Sequence, residues 1–195
     1  MPYRPVSFAV TFLALFALTF AFLAMTDSLP DAATGETPAP VAVAQTPGTP
    51  EAPVRVVASN IGLDAVVVNP ATTSVTILDE NLMQGAVHYP TSAPLGTEGT
   101  VLLFGHSSYL PVVYNQHYKT FNGIQNLKAG EEVSVYSGTT EYRYTVTSVA
   151  VANAEQDVIE LPSAGKHLVL VTCDSFATKS TRYVVKADFQ GAYAL

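Results

Sequence analysis

The chain has 195 residues, of which 48% are apolar and only 13% charged, with a net charge of −7, one cysteine and no tryptophan. That length holds one folded domain with appendages, a single cysteine excludes an intrachain disulfide framework, and an acidic balance argues against nucleic acid, whose affinity rests on Lys and Arg at phosphates.

Residues 1–26 are read as a cytoplasmic tip and a transmembrane anchor. From Val6 to Met25 run twenty residues without a charge, a glycine or a proline. At about 1.5 Å per helical residue they match the roughly 30 Å of a bilayer core. A cleaved signal peptide is the competing reading, but its apolar region usually runs about 7–15 residues and ends at a small-x-small site, which Ala21-Phe22-Leu23-Ala24 does not supply. Arg4 precedes the span, and Asp27, Asp31, Glu36 and Glu51 follow it with no basic residue before Arg55. The positive-inside rule then gives a single-pass protein of the cell membrane, its N-terminus cytoplasmic and the rest extracytoplasmic. Residues 27–53 hold six Pro, six Ala and four Thr and no aromatic residue, the composition of a disordered spacer.

Beyond Pro53, residues 54–195 form the folded domain. Runs of Val, Thr, Tyr and Ile broken by Gly, Pro and Asn predict strands at Val54–Ala58, Leu63–Asn69, Val75–Leu78, Thr100–Gly105, Glu132–Tyr136, Tyr142–Ala150, His167–Cys173 and Arg182–Phe189. Eight short strands imply a mainly all-β barrel or sandwich. A helical turn or two is expected around Tyr118–Asn126. The stretch Tyr142–Thr147 alternates, as a half-buried strand does, whereas Val101–Phe104 and Leu168–Val171 are continuous apolar runs suited to strands covered on both faces.

Both continuous runs end in a reactive residue, His106 for the first and Cys173 for the second. Arg182 opens a third segment. A thiol and an imidazole at one rim form a nucleophile site, with a guanidinium for developing charge. A lone cysteine is also commonly a small buried hydrophobe. Against that stand the polar neighbours Thr172 and Asp174 and a compartment in which an unpaired thiol is exposed to oxidation. Of the other histidines, His88 is read in a loop, His117 in a polar stretch, and His167 six residues from the cysteine on its own strand, about 20 Å away. Scattered histidines and an isolated thiolate do not make a zinc site. On spacing alone Arg182 reads equally as a solvent-facing cation at a strand edge.

At these residues the sequence resembles the sortase family of membrane-anchored cysteine transpeptidases. The match lies in Val101-Leu102-Leu103-Phe104-Gly105-His106, in Leu170-Val171-Thr172-Cys173, and in Arg182 nine residues later. Gly85-Ala86-Val87-His88-Tyr89-Pro90, with Gly96 and Gly99, is similar to the family's lead-in to the histidine strand, and Ile61-Gly62-Leu63 to an early strand. The resemblance implies an eight-stranded sortase-type β-barrel with one or two short helices behind the anchor, and His106, Cys173 and Arg182 as the catalytic trio. Thr172 would steady the substrate-binding site through its hydroxyl. Secreted proteins bearing a C-terminal sorting signal of the Leu-Pro-x-Thr-Gly kind would be the acyl donors, and an amine of the envelope or a pilin the acceptor. No cofactor, no obligatory metal ion and no nucleic acid is expected. The absence of an Asp-Pro-aromatic lid motif and the brevity of 152–166 suggest a compact, housekeeping-like or minor class. The competing functions are a cysteine peptidase and a non-catalytic surface-tethered β binding domain.

Overall fold

A computed structural model describes residues 4–25, 50–153, 159, 161–173 and 181–195, with residues 4–8, 20–25, 173 and 181 described by their backbone. The chain divides into two compact units, 1–39 and 40–195. In the first, α1 spans Arg4–Met25, and Val10, Phe12, Leu13, Leu15, Phe16 and Leu18 are exposed along it. Helix therefore forms where the anchor is expected. Among the described residues no helix is long and apolar enough to cross a membrane, so the fold does not establish the transmembrane helix. The expected spacer falls, over 27–49, outside the described residues.

The second unit is a closed eight-stranded barrel. Its strands are β1 (Arg55–Ala58), β2 (Leu63–Val68), β3 (Ala86–His88), β4 (Gly99–His106), β5 (Glu132–Tyr136), β6 (Thr140–Asn153), β7 (Lys166–Cys173) and β8 (Thr181–Ala194). Around the barrel the order is β1-β2-β3-β4-β7-β8-β6-β5, closed by antiparallel pairing of β1 with β5. Closure leaves no unpaired edge among these strands. Only β2–β3 and β4–β7 pair in parallel.

The two continuous apolar runs are neighbours: β4 and β7 pair over eight residues, from Gly99 with Lys166 to His106 with Cys173. Their alternate residues face opposite sides. Val101, Leu103, Leu168 and Leu170 enter the barrel core with Val56, Phe121, Val133 and Tyr144. Leu102, Val169 and Val171 pack outside it with Val184, Tyr89 and Phe104. Both faces are covered, which is why these strands do not alternate in hydropathy. In β6 the alternation holds as predicted, with Tyr142, Tyr144 and Val146 buried between partly exposed neighbours.

One predicted strand is wrong. Val75–Leu78 begins α2, an α-helix over Val75–Leu82. Its first residues are β-branched, but Leu78 and Leu82, four apart, form the stripe that packs on Val87 and Phe104. The eighth strand is instead β3, only three residues long, so His88 lies in a strand and not in a loop. The turns expected around Tyr118–Asn126 are two 3-10 turns, Gln116–Lys119 and Ile124–Asn126. Strands β6 and β8 run longer than predicted, to 14 residues each.

Candidate active site

The site is built at the carboxyl ends of β4 and β7. The parallel register makes His106 and Cys173 the last paired residues of those two strands. β8 runs antiparallel to β7, with Val171 opposite Val184. Arg182, two residues nearer the start of β8, pairs across the other edge of that strand with Ala152 of β6. His106, Cys173 and Arg182, spread over 77 positions of the chain, thus lie on three adjacent strands.

Each position has its own local cause. His106 is buried, 6% exposed, with its ring centroid 5.3 Å from that of Tyr118. Its carbonyl accepts the Phe121 N–H at 2.8 Å. Gly105 makes that approach possible, because a Cβ there would lie 2.4 Å from the Phe121 ring, which is fully buried. Gly105→Ala must therefore push the ring out of the core or bend the end of β4. We expect a loss of roughly 1–3 kcal/mol of stability, read by denaturant unfolding, together with reduced turnover because His106 moves.

Beyond His106 the chain is clamped by Asn122, whose Oδ1 accepts the Ser108 N–H at 2.8 Å while its Nδ2 donates to the Ser108 carbonyl at 2.9 Å. The segment closes over a cavity of about 250 Å3 lined by His106, Ser107, Ser108, Leu110, Val112, Val113, Tyr114 and Tyr118. Leu110, Val112 and Tyr114 are exposed at its mouth. It offers an apolar wall and a histidine to whatever enters.

Thr172 is 2% exposed, and its Oγ1 accepts the Tyr183 N–H at 2.8 Å. The hydroxyl ties the end of β7 to the start of β8, between Cys173 and Arg182, with a bond that ties their two strands together. Asn122, Phe121 and Tyr118 were not singled out by sequence reasoning. For Phe121 the signal was Gly105, whose missing side chain leaves room for a close neighbour.

His88 and His167 lie apart from this rim. His88 pairs in register with Leu103, and its ring nitrogens lie 3.1 Å from Asn69 Oδ1 and 3.1 Å from the Ala93 carbonyl. Burial pushes its pKa below the usual imidazole value, with the Ala93 carbonyl opposing. His167 stands at the other end of β7, its Nδ1 2.8 Å from Asp188. Partial burial works against its charge, but the Ala164 carbonyl and Asp188 outweigh it and raise the pKa. His117 sits in the first 3-10 turn. Among the described residues no group of three or more His, Cys, Asp or Glu side chains is placed to hold a metal ion.

This architecture has counterparts. The Sortase domain model matches residues 56–190. Sortase A of Bacillus anthracis is 29% identical over 116 residues, 60% of this chain and 52% of that protein. The chain thus matches about half the length of that relative. Among solved structures, sortase A of Listeria monocytogenes superimposes with a TM-score of 0.57 at 20% identity, covering 74% of this chain and 92% of that one. Sortase E of Streptomyces avermitilis superimposes with a TM-score of 0.54 at 22% identity, covering 75% and 93%. The two structures share the barrel, and the domain match spans β1 to most of β8, including all three rim residues: the chain belongs to the sortase family.

Proposed function

We propose that this chain is a membrane-anchored cysteine transpeptidase in which Cys173 is the nucleophile, His106 the general acid and base, and Arg182 the group that binds the oxyanion or the substrate backbone. The observation that carries the reading is the register pairing of His106 with Cys173, with Arg182 entering on the next strand. Sortases as a family are cysteine transpeptidases, and the apolar N-terminal run followed by an acidic, proline-rich stretch fits a tethered member.

The Cys173 thiolate attacks the carbonyl carbon of a sorting-signal peptide, of the Leu-Pro-x-Thr-Gly kind. The C–N bond breaks, and the departing amine takes a proton from His106, leaving a thioester. An incoming amine then gives its proton to His106 as it attacks the thioester, and the C–S bond breaks to restore the thiolate. Charge on the carbonyl oxygen develops at the tetrahedral stage of both halves, where a fixed guanidinium is most useful. The cavity beside His106 lies where an amine acceptor has to approach for that proton to be taken. Thr172 acts by positioning, through the bond that ties the strands of Cys173 and Arg182 together.

The test is transfer by the full chain in spheroplasts, with a library of Leu-Pro-x-Thr-Gly-type peptides and a membrane-impermeant amine supplied outside. Ligated product on intact spheroplasts is the expected result. Product only after detergent would overturn the proposed orientation, and no product under either condition would overturn the transpeptidase reading. In the same assay Arg182→Lys should lose about tenfold or more, because an ammonium keeps the charge but lacks the planar fork. Activity equal to the parent would remove Arg182 from the site.

A further inference from the structure

We propose that His167, when protonated, is a latch that holds the segment entering β7 against the barrel, so that this cover loosens as pH rises. The latch itself stands on geometry, and only its effect on a substrate rests on the transpeptidase reading.

Residues 161–165 are exposed, so apolar burial does little to hold them and polar bonds decide where they lie. The chain around the start of β4 supplies three. Thr100 Oγ1 donates to the Pro162 carbonyl at 2.7 Å, the Gly99 N–H donates to the Gly165 carbonyl at 2.7 Å, and Glu98 Oε2 accepts the Gly165 N–H at 2.7 Å. His167 supplies the fourth. Its Nε2 lies 2.9 Å from the Ala164 carbonyl, and its Nδ1 lies 2.8 Å from Oδ1 of Asp188, its partner across the β7–β8 pair. Gly165 permits that approach, since its φ is +83° and a Cβ there would lie 2.9 Å from His167 Nε2.

A carbonyl and a carboxylate oxygen only accept hydrogen bonds, so both bonds form together only when both ring nitrogens carry protons. The imidazolium meets that condition. On deprotonation Nδ1 keeps its proton for the carboxylate, the stronger acceptor, and the bare Nε2 then faces the lone pairs of Ala164. Partial burial works against the charge on His167, but the Ala164 carbonyl and the Asp188 carboxylate, with the charge of Glu98 adding, raise its pKa overall. Because the folded value is raised, the latch is complete below the unfolded value of about 6.5 and is lost as pH rises through the folded one. Among the described residues the other charged groups here are Lys166, whose Nζ lies 5.1 Å from the centre of the Phe189 ring, and Lys186, two residues from Asp188 on β8. From β4 the uncharged Thr100 pairs with His167. His88 also stands between two oxygens, but neither is charged and that ring is buried.

The same stretch of chain carries Ile159, which packs on the outer cluster with Val171 and Phe104. These stand two residues before Cys173 and His106 and so share their face of the barrel wall. What the latch steadies is a cover on the face from which a peptide reaches Cys173.

The experiment follows the full chain by NMR across neutral pH. His167 in the parent should titrate above the usual imidazole value of about 6.5, and Asp188→Asn should lower that midpoint. Hydrogen-exchange protection of the Gly165 N–H should fall about two- to fivefold as pH rises through the midpoint, the modest size of a partly exposed ion pair. His167→Asn, too short to reach Ala164, should show the lower protection throughout. In peptide transfer, the donor KM of His167→Asn should exceed that of the parent by about the same two- to fivefold below the midpoint, with the difference closing above it. A His167 midpoint at or below the usual value, or Gly165 protection indifferent to that midpoint, would overturn the latch. Equal KM in the two chains at low pH would overturn its effect on substrate. A parent that transfers nothing would sink the transpeptidase reading, and titration and exchange would still decide the latch.

Discussion

Cys173→Ala is expected to abolish peptide transfer, by on the order of a thousandfold or more, while leaving the barrel intact. The chemistry passes through a covalent bond to sulfur, and no neighbouring group in the proposed scheme can replace it. Truncating a nucleophile costs about as much as losing the whole catalytic unit, because the other members act only through it. Cys173→Ser should recover little, since an alcohol is almost wholly protonated at neutral pH and a much poorer nucleophile there. Circular dichroism would show the variants folded, and product mass would report turnover. Retained transfer in the alanine variant would mean that the thiol is a structural residue.

His106→Ala is expected to lose about a hundred- to ten-thousandfold, the range for removing a general acid and base. His88→Ala should do something different. Its ring lies between Asn69 and the Ala93 carbonyl and outside the rim where His106 meets Cys173. Its loss should lower stability by about 1–3 kcal/mol through the buried acceptors it abandons, with turnover retained well below the melting temperature. The pH behaviour separates the two further. Because burial depresses the folded pKa of His88, the unfolded chain binds the proton more readily. Its contribution to stability is therefore full above the unfolded value of about 6.5 and is lost as pH falls below it. His88→Ala should flatten that acid loss. Full activity in His106→Ala, with activity lost in His88→Ala, would reverse the assignment.

The site was largely legible in the sequence because its two reactive residues end continuous apolar runs, and continuous runs mark strands covered on both faces. That burial on opposite sides, Leu103 and Leu170 inward and Leu102 and Val169 outward, is what makes β4 and β7 neighbours in the middle of the barrel wall. Arg182 stood out only through resemblance, since spacing alone reads it equally as a solvent-facing cation at a strand edge. Three features were not legible for physical reasons. The β-branched start of α2 masks a helix whose evidence is one pair of leucines four residues apart. β3 is too short to show a period and exists because β2 and β4 flank it. Asn122 is a single polar residue in a segment without pattern, and its significance lies in a contact across the fold, the clamp on Ser108.

The net charge divides in the same way as the chain. Residues 1–53 carry Arg4 against four acids, and 54–195 eight bases against twelve acids, so the −7 splits into −3 and −4. The folded domain is only mildly acidic.

The central claim is that Cys173 carries the acyl group. Intact-mass spectrometry of the full chain, acid-quenched after mixing with a Leu-Pro-x-Thr-Gly-type peptide library and no added amine, tests this most directly. The account predicts an adduct equal to the acyl fragment, located on Cys173 by proteolytic mapping, released by hydroxylamine and absent from Cys173→Ala. Ligated product formed on subsequent addition of amine, with no adduct on Cys173 at any time point before it, would contradict the account.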